Sequence, residues 1–320
     1  MSDSFASAVH QLLHDSIEQH AHETVYAKAL SYVLSRFSHV HPETLGLIEA
    51  AVLDAGGQTM LAVPIAAAWR ALHLAARLLD DAEDGDSARW QPSSANWEIG
   101  RIINLGTGFI GISNLILTYT EQRFSAQQSL WFHRRFNQVM MAMAAGQHLD
   151  LQTHGVQSLS AYWQHIQGKS GAFFGLAAEA GANCGSPPKE ALAHYYNFGY
   201  NLGIALQLIN DLNGFFQEDH HSDLIAGKQT LIHYFLADVA PDYVQEELQS
   251  LWPQAPYQQA TRQRIRELAY AQGADVYMLA EITKHTILAR NNLIKVEKPA
   301  RRLANLLSEW LKIPNDFLAR

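Results

Sequence analysis

The chain has 320 residues, 48% of them hydrophobic, enough to bury a large core. Its 31 acidic and 23 basic residues leave a net charge of −8, which argues against a broad nucleic-acid or acidic-membrane footprint but leaves room for a local basic pocket for phosphate. A single cysteine, Cys184, excludes an intrachain disulfide and suits a reducing compartment.

Residues 4–37 carry Val9, Leu12, Leu13 and Ile17, then Val25, Leu30, Val33 and Leu34, at helical spacing, and read as one or two amphipathic helices. Pro42 and Glu43 open another helix, running to Asp54 and stopping at Gly56-Gly57. Residues 60–81 form an Ala-rich helix that is apolar on most sides and therefore central; it ends in Asp80-Asp81-Ala82-Glu83-Asp84. Residues 85–97 are a polar loop, and helical patterns resume over 99–120, 126–151 and 159–182, the last interrupted by Gly168-Lys169-Ser170-Gly171. A helix over 189–218 leads into a loop at Asp219, His220, His221 and Ser222; segments 228–236, 242–252, 258–272, 274–295 and 300–311 complete the helices.

No alternating strand pattern, fixed repeat or low-complexity linker appears, so the expectation is one all-α domain over 1–320: a bundle of ten or more helices around a central apolar cavity. The N-terminus lacks a basic region followed by an apolar core, and no run reaches the ~18 uncharged apolar residues of a membrane span. That predicts a soluble, cytoplasmic protein without a signal peptide or transmembrane segment.

Two stretches carry the chemistry. Asp80 and Asp84, one turn apart, form a ridge with Asp81 and Glu83 beside it; these carboxylates repel one another unless cations neutralise them. Asn210, Gly214 and Glu218 recur every fourth residue, with Asp211 beside them, inside an apolar context of Ile204, Leu208, Ile209, Leu212 and Phe215. Facing each other, two such ridges would hold hard divalent cations and, through them, a diphosphate. Each ridge alone could also be a polar helix end. The sixteen histidines are scattered, and no Cys/His spacing supports a zinc site.

Taken in order, these motifs resemble those of the trans-isoprenyl diphosphate synthases, the polyprenyl synthetase family, and of class I terpene cyclases derived from them. Gly56-Gly57 is similar to the start of that family's G-G-K-R stretch, and Asp80 to Asp84 to its first aspartate-rich motif. Gly146-Gln147-His148-Leu149-Asp150-Leu151 resembles G-Q-x-x-D-L, and Gly168-Lys169-Ser170 resembles G-K-[ST]. Gln207 to Gly214 falls at the second aspartate-rich motif, and the decapeptide from Ser222 to Leu231 is close to S-D-L-x-x-G-K-x-T-L. The resemblance implies the isoprenoid synthase fold, a prenyl diphosphate substrate, three Mg²⁺ ions and a homodimer. It implies metal ligation by Asp80, Asp81, Asp84, Asn210 and Glu218, and diphosphate binding by Lys169 and Lys228.

The departures bear on the reaction. Gln58 and Thr59 replace the Lys and Arg that hold isopentenyl diphosphate in that family, and Arg89 is the only arginine in the loop where a pair is usual. Each charge-assisted hydrogen bond so lost is worth about 1.5–3 kcal/mol, so chain elongation should suffer. Asn210-Asp211-Leu212-Asn213-Gly214 lacks two of the three acids of D-D-x-x-D, whereas Asn210 and Glu218 fit the cyclase pattern N-D-x-x-[ST]-x-x-x-E, with Gly214 in place of the hydroxyl and room there for a water.

The sequence reading is therefore a class I terpene cyclase that ionises an allylic diphosphate. Its alternatives are a trans-prenyltransferase with a remodelled isopentenyl diphosphate site and a non-catalytic subunit of a heteromeric synthase. Phe109, Phe173, Phe174, Gln147 and Gln207 are candidates for the cavity wall, each also compatible with ordinary packing. Ala75 and Ala76, where bulkier residues close the cavity floor in the family, suggest a substrate of twenty carbons or more. Lys284, Arg290, Lys295, Arg301 and Arg302 form a basic C-terminal series, read mainly as surface charge.

Overall fold

The computed structural model describes residues 2–40, 42–92, 96–151, 158–218, 222–296 and 298–311. Among the described residues there is no strand. The helices are α1 (Asp3–His20), α2 (Thr24–Val40), α3 (Gly46–Asp54), α4 (Val63–Glu83), α5 (Ile99–Thr118), α6 (Ala126–Asp150), α7 (Leu159–Ile166) and α8 (Ala172–Asn183). They continue with α9 (Lys189–Phe216), α10 (Asp223–Ala226), α11 (Leu231–Tyr234), α12 (Asp242–Leu251), α13 (Gln259–Ala271), α14 (Ala274–Ile294) and α15 (Arg301–Trp310). The expectation of ten or more helices and no sheet is met. The loop read at Asp219, His220 and His221 lies outside the described residues.

The chain divides into two compact units: Met1–Met141, Leu176–Tyr196 and Leu293–Leu306 make up the first, and Ala142–Gly175, Asn197–Asn292 and Leu307–Arg320 the second. In the first, α4 is the central helix, as its nearly all-round apolar sequence requires, and Trp69, Ala66, Leu74 and Leu78 on it are fully buried. It lies along α5, where Ser113 Oγ donates to the Ala68 carbonyl at 2.8 Å. Buried Arg70 is held by Thr44 and the Phe37 carbonyl, with its guanidinium 4.1 Å over the Phe37 ring. Asp54, at the end of α3, accepts from the Leu303 N–H at 2.9 Å and so supplies the first turn of α15 with an acceptor from far away in sequence.

The second unit packs Tyr162 and Ile166 of α7, Leu208, Leu212 and Phe215 of α9, and Ile232, Leu248, Ile265 and Met278 of the later helices into one apolar cluster. Two differences from the sequence expectation matter. The helix read over 189–218 ends at Phe216, so Glu218 lies past its last turn rather than on the ridge of Asn210 and Gly214. By length and mean hydropathy, Thr59–Glu83 and Ile99–Gln122 also qualify as membrane spans, against the expectation of none. Arg70 and Arg77 break the uncharged run in the first of these. The most apolar 18 residues of that segment are 72% buried inside the protein, as the core helix of a helical fold is.

Candidate functional site

In the first unit, the acidic cluster closes α4. The Asp84 N–H donates to the Asp80 carbonyl at 2.9 Å, which keeps the helical turn and places the two carboxylates one turn apart, Asp80 half-buried and Asp84 exposed. Asp81 points the other way. It is buried and accepts from Trp90 Nε1 at 2.6 Å and from Arg89 Nη1 at 3.0 and 3.2 Å, with Arg77 3.9 Å away. Burial pushes its carboxyl pKa up, and Arg77 and Arg89 act against that. Asp81 therefore anchors the loop after α4, and Arg89 is engaged within that loop. Gln58 is exposed on extended backbone and Thr59 begins a 3₁₀ turn (Thr59–Ala62).

In the second unit, the Gly-Lys-Ser interruption is a single π-helical turn, Gln167–Gly171, set between α7 and α8. The extra residue of a π turn shifts the ladder by one position, a device found often at functional sites. Its neighbours explain the glycines. A Cβ on Gly168 would lie 2.7 Å from the Ala142 carbonyl oxygen, and one on Gly146 would lie 2.9 Å from the Lys169 backbone nitrogen, so α6 and the π turn touch backbone to backbone. Gly203 of α9 closes on the Ser170 carbonyl and on Phe174 in the same way. Lys169 is thereby fixed at its backbone by α6; its Nζ lies 3.9 Å from Asp150 of the Gly146-to-Leu151 motif.

A hydrogen-bond chain runs from this turn into α9. Ser170 Oγ donates to Gln207 Oε1 at 2.9 Å, Gln207 Nε2 donates to Asp211 Oδ1 at 2.8 Å, and the Tyr162 hydroxyl donates to Asp211 Oδ2 at 2.5 Å. Burial pushes the Asp211 carboxyl up, while Tyr162 and Gln207 act against that; burial, then Asp211, pushes the Tyr162 phenol well up. Asp211 is thus an inward anchor in the second motif, as Asp81 is in the first. Tyr162 belongs to this assembly, and His165 Nδ1 lies 2.9 Å from the Gly146 carbonyl oxygen; neither was singled out from sequence, where nothing sets a lone Tyr or His apart from a core residue, whereas Ser170 and Asp150 fall within the two motifs read there.

The water expected beside Gly214 has no room: the Asp223 carboxylate fills that space, and any Cβ on Gly214 would collide with it. Asn210 is exposed. Glu218 is exposed and lies 3.4 Å from Arg266, whose guanidinium also donates to the carbonyls of Phe215 and Gln217. Lys228 is exposed in the loop after α10; Gly227 ends that helix in the left-handed region (φ 69), and the Lys228 N–H donates to the Asp223 carbonyl at 2.9 Å.

Of the cavity-wall candidates, Phe109 is fully buried in the first unit and Phe173 nearly so in the second, its ring edge-on to half-buried Phe174 at 5.6 Å. Gln147 and Gln207 are half-buried. Ala75 is buried where α5 comes close: a Cβ on Gly106 would lie 2.9 Å from Leu79 Cγ and 3.4 Å from the Ala75 carbonyl oxygen. The small residue at 75 thus sits at a helix contact, and Ala76 is half-buried beside it. Asp80 and Asp84 offer the hard oxygen donors that Mg²⁺ takes, and an ion that keeps several waters needs only one or two carboxylates from the protein. Among the described residues, the one group of three acidic, His or Cys ligand atoms within 4.8 Å is elsewhere, at His14, Asp15 and Glu18 on α1.

Over 172 residues the chain is 29% identical to the geranylgeranyl diphosphate synthase of Mycobacterium tuberculosis, covering 52% of this chain and 48% of that protein, so it spans about half the length of the curated relative it matches. Its fold is that of the geranylgeranyl pyrophosphate synthetase of Pyrococcus horikoshii (TM-score 0.81, 16% identity, 97% of this chain and 98% of that one). It is equally that of a polyprenyl synthase from Caulobacter crescentus crystallised with calcium and isoprenyl diphosphate (TM-score 0.78, 20% identity, 97% and 95%). Residues 24–269, more than half of the chain, match the polyprenyl synthetase family, and the chain belongs to that family.

Proposed function

We propose that the chain is a trans-prenyltransferase that extends an allylic prenyl diphosphate with isopentenyl diphosphate at a remodelled second-substrate site. What supports elongation over cyclisation is the match of residues 24–269 to the polyprenyl synthetase family. The side that takes the allylic diphosphate is built around Lys169, on a π turn held between glycines of α6 and α9 and tied by Ser170, Gln207 and Asp211 into the second motif. In this reading Lys169 and Lys228 neutralise the diphosphate leaving the allylic substrate, and Phe173 and Phe174 keep water from the carbocation that remains. Asp80 and Asp84 would hold Mg²⁺, which would supply a Lewis acid for diphosphate oxygens. Asp81 anchors the loop that follows them, and Asp211 holds Gln207 and, through it, Ser170 next to Lys169. Asn210 is exposed for a ligand, whereas Glu218 would take one only by leaving Arg266.

Gln58 and Thr59 favour a second reading, a class I terpene cyclase, because without a Lys-Arg pair the second substrate has fewer cations to bind. Purified protein incubated with Mg²⁺ and allylic diphosphates of ten to twenty-five carbons, with and without isopentenyl diphosphate, separates the two. Longer prenyl diphosphates formed only with isopentenyl diphosphate support the first. A cyclic hydrocarbon or alcohol from one allylic substrate alone establishes the second in its place, and no product under any condition points to a non-catalytic subunit. The first reading also predicts a gain: Gln58→Lys with Thr59→Arg should lower KM for isopentenyl diphosphate by at least ~10-fold, the effect of about one restored charge-assisted bond, and leave KM for the allylic substrate unchanged.

A further inference from the structure

His165 stands on α7 in the second unit, four residues before Lys169. Its side chain is only 12% exposed, and its Nδ1 lies 2.9 Å from the Gly146 carbonyl oxygen of α6. A carbonyl cannot donate, so Nδ1 carries a hydrogen whether the ring is neutral or charged, and the bond holds in either state. The other ring nitrogen, Nε2, lies 3.8 Å from Asp150 Oδ1, and Lys169 Nζ lies 3.9 Å from Oδ2 of the same carboxylate. Gly146 and Asp150, one turn apart on α6, thus face His165 and Lys169.

The glycines already bring α6 and the π turn together: a Cβ on Gly146 would lie 2.8 Å from the His165 carbonyl oxygen and 2.9 Å from the Lys169 backbone nitrogen. Close packing of that kind resists separation but has no direction, so by itself it does not stop one helix sliding or turning on the other. A hydrogen bond has direction, and a helix carbonyl keeps a second lone pair beyond its bond to the N–H four residues on. The bond from His165 therefore sets the register of the two helices at the glycine that the Lys169 backbone touches. Asp150 cannot set it, because its contacts at 3.8 and 3.9 Å exceed hydrogen-bond length and its side chain is 42% exposed.

We propose that His165 is a positioning residue for Lys169: its Nδ1–H holds the π turn against the Gly146 carbonyl and so sets the ammonium group where the diphosphate arrives. The inference rests on the reading of Lys169 as a diphosphate ligand, and adds to it a residue that lies outside the motifs read from sequence.

The test titrates the full chain with inorganic diphosphate and Mg²⁺ by calorimetry. Two amides separate the ring nitrogens, because the asparagine side chain reaches the place of Nδ1 and the longer glutamine side chain the place of Nε2. His165→Asn should bind about as tightly as the native chain, whereas His165→Gln and His165→Leu should bind at least ~10-fold more weakly, about 1.4 kcal/mol. In a Lys169→Ala background, where the positioned group is gone, His165→Leu should cost nothing further. The contrast between asparagine and glutamine stands even if His165→Leu fails to fold. Native affinity in His165→Gln, weak binding in His165→Asn, or a His165→Leu loss that persists in Lys169→Ala overturns the proposal. If the native chain binds no diphosphate, or binds it as well after Lys169→Ala, the reading of Lys169 falls and the proposal with it.

Discussion

A methyl group on Gly214 would fall against the Asp223 carboxylate, so the identity of residue 214 is set by a side chain nine positions away. Gly214→Ala should therefore cost about 1–3 kcal/mol, the usual range for overpacking. The sign should reverse once the carboxylate is gone. In an Asp223→Ala background the same change should stabilise by up to ~1 kcal/mol, because alanine is the better helix former. Urea midpoints of the four proteins in the cycle measure the coupling; additivity would show that the two residues do not share the space. His233 offers a second residue-level test. Its pKa is lowered to about 4 by burial, so between pH 6.5 and 4 the unfolded chain takes up the proton first. Stability from the neutral buried ring is complete above the unfolded value near 6.5 and falls as pH drops towards 4, by roughly 3 kcal/mol in all. Unfolding in urea at pH 7 and pH 4.5 should show this slope in the native protein and a shallower one in His233→Gln, since glutamine takes up no proton.

The π turn Gln167–Gly171 and the end of α9 show what an element owes to partners far away in sequence. Sequence alone placed an interruption at Gly168 and Gly171, because glycine weakens a helix. It could not tell a break from a π turn, since that choice is made by the backbones of α6 and α9 pressing on either side. The end of α9 was placed two residues late for a similar reason. Periodicity continued to Glu218, but Arg266 on α13 takes the carbonyls of Phe215 and Gln217, supplying the last turn with donors that no local pattern announces. The glycine contacts make a prediction at this scale. Gly168→Ala drives a methyl against the backbone of Ala142 and Gly146, atoms that cannot step aside, and should cost about 1–3 kcal/mol. It should also weaken binding of inorganic diphosphate, by moving Lys169. Lys169→Ala should lose that binding with little change in urea midpoint, so equal loss of stability in both variants would contradict the positioning role of the turn.

At the scale of the whole molecule, the all-helical class was legible because apolar residues recur with one period along nearly the entire chain and no segment alternates. The partition of contacts into two units was not, since joins such as Asp54 to the start of α15, 249 residues apart, leave no trace in local pattern. The acids were legible as clusters but not by role: from sequence Asp81 counts with Asp80 and Asp84, and only its buried bonds to Trp90 and Arg89 set it apart. That division bears on how a chain of net charge −8 responds to cations. If Asp80 and Asp84 take Mg²⁺ together with a diphosphate, folding is linked to both, and inorganic diphosphate with Mg²⁺ at about 100 times its Kd should stabilise the protein by about 2.7 kcal/mol. The gain should be seen as a rise of a few degrees in Tm that neither component produces alone. Asp80→Asn with Asp84→Asn should abolish the rise and change the unliganded Tm little, because relief of repulsion between the two carboxylates is set against loss of the Arg77–Asp80 pair at 4.0 Å. Asp81→Asn should behave oppositely: it loses the charge that Arg89 and Trp90 hold in a buried place, so the unliganded Tm should fall. A fall in the first variant and none in the second would exchange the roles assigned to these neighbouring acids.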